Sequence, residues 1–340
     1  LDGCQRSIDI WQRVLAVRSI VLQPNDDMAT WLNFAELCRE SGRMRLSYKS
    51  ITALLDETPP MLGTALCAVA SDPVAPRPLP DVLASAPPPV VFAYIKHVWE
   101  QKPEGAAVSL YELSPFASAA FASSFASGTV AGDTAAGSGA LTVAPHKILA
   151  LRYLQDMLAS GMAECEPRLM ARASVKLGEW LLATHTGPTS DGSLEAILAA
   201  FEAGTEHDPS WYDGWHSWAR INLAAVQHLA VDDASPRDED ALDPYLVASL
   251  RGFFQSLALG SAGSMLQDAL RVLTLWFKYG HRSSVESALF EGFGLVSVDT
   301  WLCVIPQLIA RIHASNERVR KTVIELLTQV GKAHPQALVY

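Results

Sequence analysis

The run Glu206-His207-Asp208 sets two carboxylates around one imidazole, residue types that serve acid–base chemistry or hold a metal. Neighbours at i, i+1 and i+2 do not face one way on a helix, and Pro209 puts the run at a turn. Asp208 followed by Pro209 is a helix-start signal: a side-chain acceptor at the N-cap, then proline at the first helical position. Capping and turn hydrogen bonds are therefore its expected work. His216 lies among Trp211, Trp215 and Trp218, where a hydrogen-bonded core histidine is expected rather than a ligand. The glycine-bearing run GSAGS at 260–264 has neither a following Lys-Ser/Thr nor GxGxxG spacing, so it reads as a helix–helix turn. Kinase phosphate loops, a Walker lysine loop, a nucleophile elbow and a HExxH pair are absent from the sequence. Cys4, Cys38, Cys67, Cys165 and Cys303 show no CxxC or Cys/His ligand spacing. Neither a zinc site nor a disulfide framework is indicated, and a reducing intracellular compartment fits best.

The bulk composition points the same way. Hydrophobic residues make up 49% and charged residues 18% of the 340, enough to build a large core or one elongated array. A formal charge of −10 argues against a general nucleic-acid or anionic-membrane surface. No run of about 18 or more apolar residues is present to span a bilayer. The chain opens at Leu1 without a methionine or a signal-peptide pattern, which reads as a piece of something larger.

The elements that would position these residues are helices. Trp211, Trp215 and Trp218 fall at i, i+4 and i+7, one face of a helix expected to start at Pro209. The segment before it, 194–205, places Leu194, Ile197, Leu198 and Phe201 on one side. Two such helices around an Asp-Pro turn form the unit of a helical repeat array, and the tryptophan face is expected to be buried between repeats. Elsewhere, periodicity predicts helices over 10–22 (Ile10, Val14, Val17 and Val21 inward), over 28–41 after a cap at Asp26 or Asp27, and over 46–55. Further helices are predicted over 90–101, 146–160, 168–184, 245–259, 265–279 and 285–293. Gly42 should provide a left-handed exit, Pro306 should kink or restart the 301–312 helix, and Gly331 should stop the 319–330 helix. No segment alternates with period two. The expected fold is all-α: an α-solenoid of antiparallel helix pairs, tetratricopeptide-like (TPR-like) repeats passing into HEAT-like repeats. The expected organisation is TPR-like repeats over 1–60, a proline-rich linker over 61–89, and a helix plus a low-complexity Ala/Ser/Gly segment over 90–145. Within that segment a helix is predicted through about Ser127 and a flexible run over 128–139. TPR-like repeats resume over 146–228, an acidic linker covers 229–243, and HEAT-like repeats fill 244–340.

Longer stretches carry a more specific signal. LDGCQR at 1–6, VRSIVLQPNDDMATWLNFAELCRESGR at 17–43 and KLGEW at 176–180 come first, followed by TEHDPSWYDGWHSWA at 205–219. LQDALRVLTLWFKYGH at 266–281, DTWLCVIPQLIARI at 299–312 and HPQALVY at 334–340 complete the set. In order and in content these resemble the helical FAT region of the target-of-rapamycin (TOR) protein kinases, of the phosphatidylinositol-3-kinase-related group. The resemblance spans nearly the whole chain except 56–89, 103–145 and 229–243. It implies a non-catalytic clamp around a serine/threonine kinase domain that uses ATP and Mg. The rapamycin-binding segment and kinase domain would follow Tyr340, and HEAT repeats would precede Leu1. It further implies a dimeric parent that signals nutrient and growth-factor status with a WD-repeat propeller subunit and a large scaffold subunit. That parent would be cytoplasmic and recruited to lysosomal or vacuolar membrane. The family also has a basic pocket for inositol hexakisphosphate. Arg6 and Lys176 keep positive charge at matching positions, whereas Asn33, Glu40, Glu100 and Asp213 stand where lysines would be expected. A polyanion needs several converging cations, so binding is expected to be weak unless Lys96, Arg39 or Arg43 compensates. The competing reading is a stand-alone TPR-like adaptor that binds protein partners on a concave face.

Overall fold

A computed structural model describes residues 7–55, 59, 79–101, 144–162, 166–184, 191–231, 239–260 and 265–338. Among these residues there is no strand, and consecutive helices pack in adjacent pairs as an all-α solenoid. Two compact units divide the chain, residues 1–197 and 198–340.

The first unit opens with α1 (Ile8–Arg18), α2 (Met28–Glu40) and α3 (Met44–Thr52). The buried face of α1 is Ile8, Trp11 and Leu15, set against Phe34, Leu37 and Cys38 of α2. The expected face of Ile10, Val14, Val17 and Val21 is rotated away: Val17 and Val21 are exposed, and Ile10 is partly so. One tryptophan decides this rotation, because Trp11 removes more apolar area from water than the smaller aliphatics opposite it. Helix α1 also stops early, at Arg18, whose guanidinium pairs with Asp27 at 2.6 Å. Asp27 spends its other oxygen on the Thr30 hydroxyl at 2.6 Å, so it ties side chains together and makes no side-chain cap bond to the α2 backbone. The α2 exit is as predicted. Gly42 has φ 73°, and the Arg43 N–H reaches the Cys38 carbonyl at 2.8 Å, closing a Schellman motif.

Part of the predicted proline-rich linker is helical. Asp81–Ala84 makes a single turn that buries Leu83, and α4 (Pro88–Glu100) begins on two prolines. A first-turn proline loses no helical hydrogen bond, so these prolines start a helix instead of preventing one. Helices α5 (Pro145–Ala159) and α6 (Pro167–Thr184) follow; α4 packs on α2, α3 and α5, and α6 on α5. The helix predicted through Ser127 and the flexible run over 128–139 lie outside the described residues. Helix α7 (Asp191–His207) crosses the division between the units.

The second unit holds α8 (Tyr212–Val231), α9 (Asp243–Leu259), α10 (Met265–Tyr279), α11 (Ser283–Leu295), α12 (Ile305–Ile309) and α13 (Glu317–Ala333). Helix α8 starts three residues later than predicted. Asp208 accepts from the Ser210 N–H at 3.1 Å and its hydroxyl at 2.6 Å, which closes the preceding turn instead of capping the helix. Trp211 therefore lies before the helix. Trp215 is half-buried with its indole N–H on the Pro209 carbonyl at 2.8 Å, and only Trp218 enters the core. The predicted acidic linker is partly helical too: α8 runs to Val231, and Glu239–Leu242 forms a 3-10 turn into α9.

Helix α9 is the centre of this unit. On one side Gly252 lies against Ala219 of α8, where an added Cβ would come within 2.8 Å of the Ala219 Cβ. The Ser249 hydroxyl donates to the Ala219 carbonyl at 3.1 Å across the same contact. On the other side Phe254 occupies the space over Gly292 of α11, 2.1 Å from where a Cβ would stand. Phe254, Phe293, Trp276 and Trp301 then pack edge to face, with centroids 5.2–6.3 Å apart. Pro306 restarts the helix as predicted: a 3-10 stretch, Val298–Val304, gives way to α12 with the proline in its first turn. Gly331 does not stop α13, which continues to Ala333. A Cβ there would lie 2.8 Å from Leu338 Cδ1, so the glycine serves close packing and not chain reversal.

This packing orders the tryptophans by energy. Trp218→Ala should destabilise the chain by about 3–5 kcal/mol in urea denaturation, and Trp215→Ala by less than half as much. Equal losses at the two positions would show that the half-buried ring carries core weight.

Candidate functional site

Two clusters of charged and polar side chains lie at helix crossings, one in each unit. In the first unit, α2 presents Glu36 and Arg39 and α4 presents Lys96 and Glu100, pairs spaced i, i+3 and i, i+4 that share a helix face. Glu36 Oε1 accepts from Lys96 Nζ at 2.9 Å and from the Arg39 guanidinium at 3.0 Å. Arg39 Nε stands 3.0 Å from Glu100 Oε2. The two cations are the buried partners, with side chains 5% and 12% exposed for Arg39 and Lys96. Burial pushes the Glu36 carboxyl up, but the charge and hydrogen bond of Lys96, joined by Arg39, hold it down at about 2. Lys96 is drawn below its ordinary value by burial, which outweighs its attraction to Glu36. His97, beside this cluster and 2% exposed, is pushed down to about 4 by burial and by Arg39, and packs its ring 5.7 Å from Tyr48 of α3.

The cations expected to compensate in an inositol-phosphate pocket are thus already matched by carboxylates. Arg43 faces Asp9 at 3.9 Å, and Lys176 on α6 pairs with Glu179 one turn on. Asn33 and Glu40 are exposed on α2, and Asp213 accepts the Trp211 indole N–H at 3.1 Å in the second unit. Arg6 lies outside the described residues. Two cations and two carboxylates within one cluster stabilise a helix crossing. Within that cluster the charges cancel, and Arg172 lies near enough to Lys96 to add to the positive side.

In the second unit the cluster centres on Asp268 of α10. The helix face Asp268, Val272, Leu275 and Tyr279 is buried throughout, and Asp268 is fully enclosed. Its Oδ2 accepts from the Tyr212 hydroxyl at 2.8 Å and the Ser256 hydroxyl at 2.9 Å, and His216 Nδ1 stands 3.1 Å away. Its Oδ1 accepts from Arg271 at 3.0 Å, and that guanidinium lies over the Phe253 ring, 5.6 Å from its centroid. Burial raises the Asp268 pKa, yet hydrogen bonds from His216 and Tyr212, the His216 charge and the Ser256 hydroxyl bring it below the ordinary carboxylate value. The Asp268–His216 contact has the composition of an acid–base dyad, but it is built into the packing: the carboxylate is fully enclosed, with Tyr212, Ser256 and Arg271 as well as His216 around it. His216 is hydrogen-bonded as expected, but it is part-buried, with 17% of its side chain exposed, and is not a core residue. Glu206 and His207 are exposed at the end of α7, apart from this cluster, and among the described residues no three His, Cys, Asp or Glu side chains are arranged to hold a metal.

Sequence reasoning named Arg39, Lys96, Glu100 and His216 singly but assembled neither centre. The signal for Asp268 was a carboxylate on the apolar stripe of α10, where a charge is tolerated only with partners. Those partners come from three helices, and no single periodicity displays them.

Both clusters lie at helix crossings, and comparison with known proteins identifies the family. The FAT domain family model matches residues 1–274. The chain belongs to the FAT domain family. Over its whole length it is 38% identical to the serine/threonine-protein kinase tor1 of Schizosaccharomyces pombe, and 34% identical to the TOR kinase of Arabidopsis thaliana and to TOR2 of Saccharomyces cerevisiae. It spans only 12–14% of the length of those relatives. The matched region of these TOR-type kinases is the non-catalytic FAT region.

The two clusters of this FAT domain have separate signatures. Asp268→Ala strips the acceptor from four donors and should cost about 3–5 kcal/mol by denaturant unfolding. Asp268→Asn, which keeps the shape, should cost less. The pH dependence follows from His97 and Glu36. The His97 pKa falls from an ordinary 6.5 to about 4, so its contribution is full above 6.5 and is lost as pH drops from there towards 4. The Glu36 pKa falls from 4.5 to about 2, so its contribution is lost between those values. Stability measured against pH should decline in both windows, and His97→Phe should shrink the first, leaving the share of His146, which burial also draws down, and leave the second unchanged.

Proposed function

We propose that this FAT domain is the rigid, non-catalytic scaffold of a TOR-type serine/threonine kinase, holding the kinase domain of its own chain and restraining the motion of its lobes. The observation that carries the proposal is the Asp268 cluster. A carboxylate that accepts from groups on α8, α9 and α10 at once makes three helices move as one body. Restraint of a distant active site requires such stiffness. A stand-alone adaptor would be equally helical, but alignment of the entire chain within much longer kinases favours the scaffold reading. On this proposal ATP and Mg act in the kinase domain of the parent, a dimer that works in the cytoplasm with a WD-repeat propeller subunit and a large scaffold subunit. Its nutrient and growth-factor signalling would bring it to lysosomal or vacuolar membrane. No nucleic acid is involved, and among the described residues no single helix is long and apolar enough to cross a membrane.

In the full-length kinase, Asp268→Asn should raise basal phosphotransfer several-fold by loosening the restraint. Unchanged activity in a variant whose melting temperature has fallen would contradict the proposal.

Inositol hexakisphosphate binding through Arg6 and Lys176 is proposed only as a weak interaction, because Lys176 is shared with Glu179 and the Arg39–Lys96 pair is neutralised within its own cluster. Calorimetry should register no heat at micromolar ligand. A clear isotherm there, abolished by Lys176→Glu, would establish a working pocket.

A further inference from the structure

We draw no further inference here: the strongest candidate, the exposed apolar face that Ile10 and Val17 of α1 form with Val21 of the turn after it in the first unit, is an unpartnered helix face, and nothing in the structure shows what covers it.

Discussion

A buried carboxylate cannot be left without partners, and that constraint organises the second unit. Asp268 is fully enclosed, and a bare charge there would be prohibitively costly. Its stability depends on Tyr212 and His216 from α8, Ser256 from α9 and Arg271 from its own helix arriving together. The apolar contacts around it, Gly252 on Ala219 and Phe254 over Gly292, fix how near α9 lies to its neighbours. Apolar packing tolerates some sliding, whereas four directed hydrogen bonds to one carboxylate do not. The polar centre therefore sets register and the apolar seams supply most of the stabilisation.

The first unit uses the same device with a different balance. Glu36 bridges Lys96 and Arg39, and Glu100 meets Arg39 from the far side, so α2 and α4 are joined by charges that cancel. Such a cluster adds specificity more surely than it adds stability, since desolvation of each ion offsets much of the attraction. It also bears on ligand chemistry. Lysines at the positions of Glu40 and Glu100 would accumulate positive charge beside Arg39 and Lys96. With carboxylates there, the helix crossing provides its own anions.

Much of this architecture was legible in the residues, and the failures have specific physical causes. Periodicity located the helices, and Gly42 and Pro306 acted as their chemistry requires. The buried face of α1 was misjudged because aliphatic spacing was counted while the larger burial of Trp11 was not. Prolines at 87–89 were read as breakers, although proline in a first turn is a helix starter. Asp27 and Asp208 were read as caps, but a carboxylate with an arginine or a serine in reach satisfies that partner instead. The three tryptophans share a spacing but not an environment, and only Trp218 is core. Of the candidate sites, the histidine at 216 was recognised as hydrogen-bonded but is part-buried and not core, while its partner Asp268 lies 52 residues on, too far for a local pattern to join the two.

The central claim is that Asp268 makes α8, α9 and α10 one mechanical body. Hydrogen–deuterium exchange on Asp268→Asn, compared with the unsubstituted protein under native conditions, tests it most directly. The account predicts that amides in all three helices lose protection together and by similar factors, because the shared acceptor has been weakened. Loss of protection confined to α10, with α8 and α9 unchanged, would contradict it.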